Sequence, residues 1–233
     1  MHVLAIDTAT ARVSAALGVD GSVVGEVSLV GGRRHAEQLV PAIAYLCDEL
    51  GVPLDRLAAV AVDIGPGLFT GLRVGVTTAK VMAGALRIPV VGVPSLDLLA
   101  YPLRHSSRLI VPVLDARRRE VFSASYRPVP GGVQRVSEYA VRPPAELVAE
   151  LESGTDELLL AGDGVDAYRD EFAQLDHAEL AGTDHSFPSV AALVQLATAR
   201  VEREDFQPAS DVLPMYLRTS DAEINWERSE ASA

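Results

Sequence analysis

The chain has 233 residues, 48% of them hydrophobic and 22% charged, with a formal net charge of -12. That composition excludes a disordered polypeptide and suffices for one or two packed cores. The acidic balance argues against autonomous nucleic-acid binding, and the single cysteine, Cys47, excludes a disulfide framework or a cysteine zinc site within one chain.

Residues 2–7 form an apolar run that meets a carboxylate at Asp7 and lacks a basic start, so they read as a strand and not as a secretory signal. Two further segments rich in Val, Ala and Leu, 12–19 and 22–30, flank Asp20-Gly21, a pair that predicts a tight hairpin turn. Next, Ala36, Leu39, Val40, Ile43, Leu46, Cys47 and Leu50 recur every three or four residues, which predicts a helix stopped by Gly51. Pro41 should kink that helix on the side away from the apolar stripe. A strand at 57–63 leads into Gly65-Pro66-Gly67-Leu68-Phe69-Thr70-Gly71-Leu72-Arg73, and a second helix spans about 72–87. A strand at 89–93 and a short helix from Ser95 follow. Ser95 and Ser189 both read as helix N-caps. No apolar run reaches the ~18 residues a membrane span requires, and no His, Asp or Glu set has metal-ligand spacing. A soluble protein of the reducing cytoplasm is the expectation.

The opening pattern then recurs. Val3-Leu4-Ala5-Ile6-Asp7 lies on Val111-Pro112-Val113-Leu114-Asp115, and the same offset sets Val13 on Val121 and Ala16 on Ala124. The strand at 57–63 before its glycines has a counterpart at 158–161 before Gly162-Asp163-Gly164. A long Ala/Val/Leu helix is expected at about 188–204. These features predict an internally duplicated α/β protein with lobes at 1–104 and 105–220, a polar tail at 221–233, and a ligand cleft between the lobes.

Three segments bear on chemistry. The glycine segment joins a strand to a helix, where backbone N–H groups can hold an anion. It lacks the Gly-Lys-Ser/Thr ending of a P-loop, and Pro66 withdraws one N–H. Gly65 and Gly67, with Asp7 and Thr8 at the end of the first strand, form a candidate nucleotide-phosphate set. Close packing by the glycines and turn-making by Asp7 and Thr8 is the plainer alternative. The second helix is apolar around most of its circumference and must be covered on more than one side. Its ridge of Gly71, Gly75, Ala79 and Ala83 permits close helix approach. The expected docking surface combines that ridge with Leu72 and Met82, and with His35, Leu39, Ile43 and Leu46 of the preceding helix; burial within one domain is the alternative. Arg117, Arg118 and Arg119 form a basic cluster that is either a solvated turn or a contact for RNA phosphate or an acidic partner. There is no G-x-S-x-G elbow, and Cys47, on an apolar helix face, reads as a core residue.

Several segments resemble the bacterial TsaB (YeaZ) family: Ala5-Ile6-Asp7-Thr8-Ala9-Thr10, Arg34-His35-Ala36-Glu37-Gln38-Leu39-Val40-Pro41, the glycine segment 65–73, Ala79-Lys80, Pro89-Val90-Val91-Gly92-Val93 with Ser95-Leu96, Asp115-Ala116-Arg117-Arg118 with Glu120-Val121, and Tyr216-Leu217-Arg218. The match follows nearly the whole chain in order. Leu68 departs from it, since the family typically has Ser there, which weakens the case for a nucleotide held by a hydroxyl at this position. The resemblance implies a two-lobed actin/sugar-kinase/Hsp70-like (ASKHA) α/β fold. It also implies a non-catalytic subunit in forming N6-threonylcarbamoyladenosine at position 37 of tRNAs that read codons beginning with A. The implied partners are a TsaD-like catalytic subunit, whose His-x-x-x-His metal motif is absent from this sequence, and a TsaE-like ATPase. ATP or ADP would sit at the interface with TsaD, tRNA would be met only through the complex, and the chain alone would form a homodimer. An independent phosphotransferase of the same fold would need a phosphate clamp and a catalytic base. A peptidase would need a metal motif or a nucleophile elbow.

Overall fold

In β1 (His2–Asp7), Leu4 and Ile6 point to one buried face and Val3 and Ala5 to the other. A strand apolar on both sides belongs at the centre of a sheet, and β1 lies there. The computed structural model describes residues 1–31 and 34–218; the expected tail at 221–233 lies outside the described residues. β2 (Arg12–Val19) and β3 (Ser22–Val30) extend the sheet antiparallel on one side of β1, and β4 (Leu57–Asp63) and β5 (Val90–Val93) extend it parallel on the other. Asp20 and Gly21, both at positive φ, close the β2–β3 hairpin as expected. Helices α1 (His35–Glu49) and α2 (Phe69–Leu86) cover the Leu4/Ile6 face. Pro41 sits on the exposed side of α1. α2 starts at Phe69, inside the glycine segment and earlier than the apolar pattern predicts. The short α3 (Ser95–Ala100) follows β5.

The second sheet repeats this plan. β6 (Leu109–Arg117) is central and pairs antiparallel with β7 (Glu120–Ser123). A hairpin of β8 (Tyr126–Val129) and β9 (Gly132–Arg135) attaches to β6 through Tyr126 and Ile110. β10 (Ala140–Arg142) pairs with β7, while β11 (Leu158–Ala161) and β12 (Ala178–Leu180) add parallel to the other side of β6. The order β3-β2-β1-β4-β5 therefore maps onto β10-β7-β6-β11-β12, which is the expected duplication. α4 (Pro144–Glu152), α5 (Asp163–Ala167) and α6 (Arg169–Phe172) cover one face of the second sheet with Leu147, Leu151, Val165 and Phe172.

The two remaining helices cross between lobes. α3, from the first half, places Leu96, Leu99 and Ala100 against Ile110, Leu114 and Phe122 of the second sheet. α7 (Val190–Glu202), from the second half, places Val190, Leu193, Val194 and Ala197 on the small residues Ala5, Ala16, Ala59 and Ala61 of the first. The first sheet ends at Val93 and the second begins at Leu109, while one helix from each half packs on the other. Asp97 of α3 accepts hydrogen bonds from the phenols of Tyr126 (2.6 Å) and Tyr139 (2.8 Å). Beyond α7 the chain runs back over the first lobe as a strap. Gln207 bridges to Val90, Val212 enters the first core, and the Met215 N–H donates to the Ile64 carbonyl at 2.6 Å. Lys80 holds the strap by donating to the carbonyls of Ser210 and Val212. Among the described residues no helix is long and apolar enough to cross a membrane.

Candidate functional site

Parallel pairing of β1 with β4 ends both strands in a carboxyl group, Asp7 and Asp63, which are 0% and 1% exposed. Asp7 Oδ1 accepts from the Ala9 N–H at 2.9 Å. Asp63 Oδ1 accepts from the Gly65 N–H at 2.8 Å and from the Ser95 hydroxyl at 2.5 Å. Ser95 is thus a side-chain donor to Asp63, and Pro94 holds the cap position of α3. Ser189 does cap α7, accepting from the Ala192 N–H. The remaining oxygen of each, Asp7 Oδ2 and Asp63 Oδ2, is buried without a hydrogen-bond partner. Adjacent buried carboxyl groups cannot both ionise, so the pair shares a proton. Burial, and then the charge of Asp7, push Asp63 well above the usual carboxylate range. Asp7 is also raised by burial, but its anion is supported by the Ala9 N–H and by Arg12.

This turn is closed by the chain's own backbone. The Thr8 hydroxyl donates to the Gly71 carbonyl at 2.7 Å, and the Leu68 N–H donates to the Ala9 carbonyl at 2.7 Å. A Cβ on Gly67 or Gly71 would overlap the carbonyl oxygens of Ala9 and Thr8. Asp7, Thr8, Gly65 and Gly67 do converge, as the sequence predicts, but they converge on one another. The loop at 65–71 and the turn at 8–10 are in direct backbone contact.

The helical surface differs from the expected one. Gly71, Gly75, Ala79 and Ala83 are buried and turned inward, Gly75 against Thr8 and the two alanines in the first core. His35, Leu39, Ile43, Leu46 and Leu72 are also buried, with His35 Nε2 2.8 Å from the Thr10 carbonyl oxygen. Of the expected docking set Met82 is half-buried, while Ile43 and Leu39, though buried, line the floor of the groove described next. The cause is physical: apolar periodicity marks the face that a helix covers, and here the chain's own sheet covers it.

What the two helices present outward is Ala36, Val40, Ala44 and Tyr45 of α1 and Thr70, Arg73, Thr77 and Val81 of α2. Between them runs an apolar groove of about 800 Å³, lined by Val40, Ala44, Cys47, Val52, Leu54, Val81 and Met82, with Asp48, Thr77 and Thr78 as its polar members. Val40 is 58% exposed and Val81 66%, unusual values for valines on neighbouring helices. The groove continues to Phe69 and Arg73. There the Arg73 guanidinium lies 3.9 Å from the centre of the Phe69 ring, and Tyr216 of the strap packs on the same ring at 5.0 Å. Ala36 and Val40 belong to the periodic apolar set that predicts α1, yet both face outward, and Val81 lies outside the small-residue ridge of α2.

Arg117, Arg118 and Arg119 form the exposed turn between β6 and β7. Asp115 holds Arg117 through its N–H and its Nη1, both at 2.8 Å. Asp163 accepts from the Asp115 N–H at 2.9 Å, and burial raises its carboxyl to about 6. Among the described residues no group of three or more His, Cys, Asp or Glu is placed to hold a metal ion.

Comparison with known proteins gives the family of the chain. The family model of TsaD, tRNA N6-adenosine threonylcarbamoyltransferase, matches residues 23–226. The tRNA threonylcarbamoyladenosine biosynthesis protein TsaB of Bacillus subtilis is 30% identical over 237 residues, spanning 99% of this chain and 100% of the relative. The solved structure of YeaZ from Pseudomonas aeruginosa matches with a TM-score of 0.80 and 32% identity, covering 93% of this chain and 99% of that one. The activator of 2-hydroxyisocaproyl-CoA dehydratase from Clostridium difficile, solved with bound ADPNP, matches with a TM-score of 0.52 at 9% identity over 93% of this chain and 100% of that one. That distant likeness concerns the fold alone, and with the duplicated topology it gives the two-lobed ASKHA architecture.

Proposed function

Because the chain belongs to the TsaB (YeaZ) family, we propose that it acts in N6-threonylcarbamoyladenosine formation on tRNA as a non-catalytic subunit that docks a TsaD-like threonylcarbamoyltransferase. The observation that carries this reading is the uncovered apolar groove between α1 and α2. The family model that matches the chain is named for the transferase, so such a partner offers an equivalent pair of helices. Two such pairs can pack ridges into grooves about a near two-fold axis. The same face pairs two copies of this chain when the partner is absent, and a TsaE-like ATPase joins the assembled pair. ATP or ADP is held at the joint with the partner, because here the turn after β1 is filled by the loop at 65–71. A subunit without its own chemistry is supported by the internal engagement of Asp7, Thr8 and Asp63.

The test is co-purification with the transferase subunit of the same organism, followed by an assay for modified adenosine with each subunit omitted. A complex that needs the groove, and modification that needs this chain, support the proposal. Undiminished modification in the absence of this chain overturns it.

A further inference from the structure

The docking reading leaves the basic turn unused. Arg117, Arg118 and Arg119 are three successive residues with positive φ, at 62°, 56° and 62°. Left-handed backbone is disfavoured for any residue with a Cβ, and tight hairpin turns of this kind usually hold Asn and Gly. This chain places guanidinium groups there instead. The turn is braced at both ends. Asp115 fixes Arg117 through two contacts of 2.8 Å, and Glu120, across the hairpin, is paired at 2.9 Å with Arg218 of the strap. The side chains at the tip are exposed and carry three positive charges in a chain of net charge -12. Strained backbone of this kind persists only where its surroundings over-determine it, and it concentrates at binding sites.

We propose that the turn at 117–119 is an RNA contact, in which Arg118 and Arg119 hold phosphodiester oxygens of the tRNA engaged by the assembled complex. This inference rests on the function proposed above. A guanidinium is a planar fork that matches two phosphate oxygens. A free nucleotide is normally held in an enclosing concave site, whereas this tip is an exposed hairpin end. The strap sets the location: Tyr216 packs at the Phe69 end of the docking groove, and two residues on Arg218 grips Glu120 beside the turn. A partner seated in the groove would therefore bring its RNA close to these arginines. Net negative charge elsewhere keeps the isolated chain a poor RNA binder, so the contact operates within the complex.

The test uses the full chain assembled with the transferase subunit, with an unmodified tRNA that reads codons beginning with A as the probe. Two double variants are compared, Arg118→Gly with Arg119→Gly, and Arg118→Lys with Arg119→Lys. Glycine relieves the left-handed strain, so the melting temperature should rise. The tRNA affinity of the complex should nevertheless fall about tenfold, and the slope of log affinity against log salt should drop by about 1–2. The lysine pair, which keeps the charge and loses the fork, should recover the salt slope and only part of the affinity. A turn with only a structural role would not weaken RNA binding while stabilising the fold. Unchanged affinity and slope in an intact complex overturn the proposal. Loss of complex formation by the glycine pair also overturns it, and assigns the turn to an acidic protein surface. A wild-type chain that forms no complex removes both readings, and does so before any variant is made.

Discussion

Thr8, at the turn after β1, occupies the space where a side chain on Gly75 of α2 would begin. The same hydroxyl donates to the Gly71 carbonyl, so α2 is keyed to the end of β1 by two glycines one helical turn apart. Gly75→Leu should therefore overpack the interior of the monomer, at about 1–3 kcal/mol. The melting temperature should fall, while partner association per folded molecule stays constant. Thermal unfolding and binding measured on one preparation decide this, and the opposite pattern would return the small-residue ridge to the interface.

Val81→Glu probes the surface that is exposed. A charge at a position 66% open to solvent should change stability by no more than about 0.5 kcal/mol. Once docked, that carboxylate would be buried without a partner, and association should weaken at least tenfold, or about 1.4 kcal/mol. Titration calorimetry against the transferase subunit, or sedimentation of the chain alone for self-association, reads the effect. Undiminished affinity would place the partner elsewhere.

The Asp7–Asp63 pair makes stability depend on pH in a defined direction. Burial makes the folded pair hold a proton that the unfolded chain releases above the ordinary carboxylate value of 3.8. Stability is therefore lost as pH rises from that value towards the raised folded one. Asp63→Asn keeps the acceptor for Gly65 and Ser95 and removes the titration. Its melting temperature should match the wild type near pH 4. At pH 8 it should exceed the wild type by about 2–4 °C or more, the shift that ~1 kcal/mol gives in a protein of this size. A variant less stable than wild type at pH 8 would show that Asp63 is ionised in the folded chain.

Asp97→Ala tests the link between the lobes. It strips the acceptor from Tyr126, whose phenol is almost wholly buried, and from the half-buried Tyr139. Burial and the Asp97 charge raise both phenols, so they remain neutral donors. Orphaning the Tyr126 donor costs about 1–3 kcal/mol, whereas Tyr139 can turn to water. Chemical denaturation should show that loss in full, and hydrogen exchange should rise first where α3 meets β8.

Much of the plan was legible because it rests on local rules. The apolar run at 2–7 and the Val-, Ala- and Leu-rich segments at 12–19 and 22–30 read as strands, and Asp20-Gly21 suits the positive φ of a hairpin. The echo of Val3–Asp7 in 111–115 marks the two central strands, and the paired topology follows that duplication. Short elements without periodicity, such as β8, β9 and α4–α6, were not legible, because three to nine residues give little pattern to read.

The sequence by itself determined which faces of α1 and α2 are apolar, that four residues after β1 and β4 belong together, and that three arginines stand in one turn. Only the tertiary structure decided what those faces and residues meet. The ridge from Gly71 to Ala83 could pack on a partner or on the chain's own sheet with equal local logic. It packs on the sheet because β1 and β4 leave a buried surface that nothing else covers. The same closure turns Val40 and Val81 outward, sets Asp7 beside Asp63, and presses the glycine loop onto Thr8 and Ala9. The contacts of the glycine loop with Thr8 and Ala9 join segments more than thirty residues apart, and side-chain periodicity carries no information at that range.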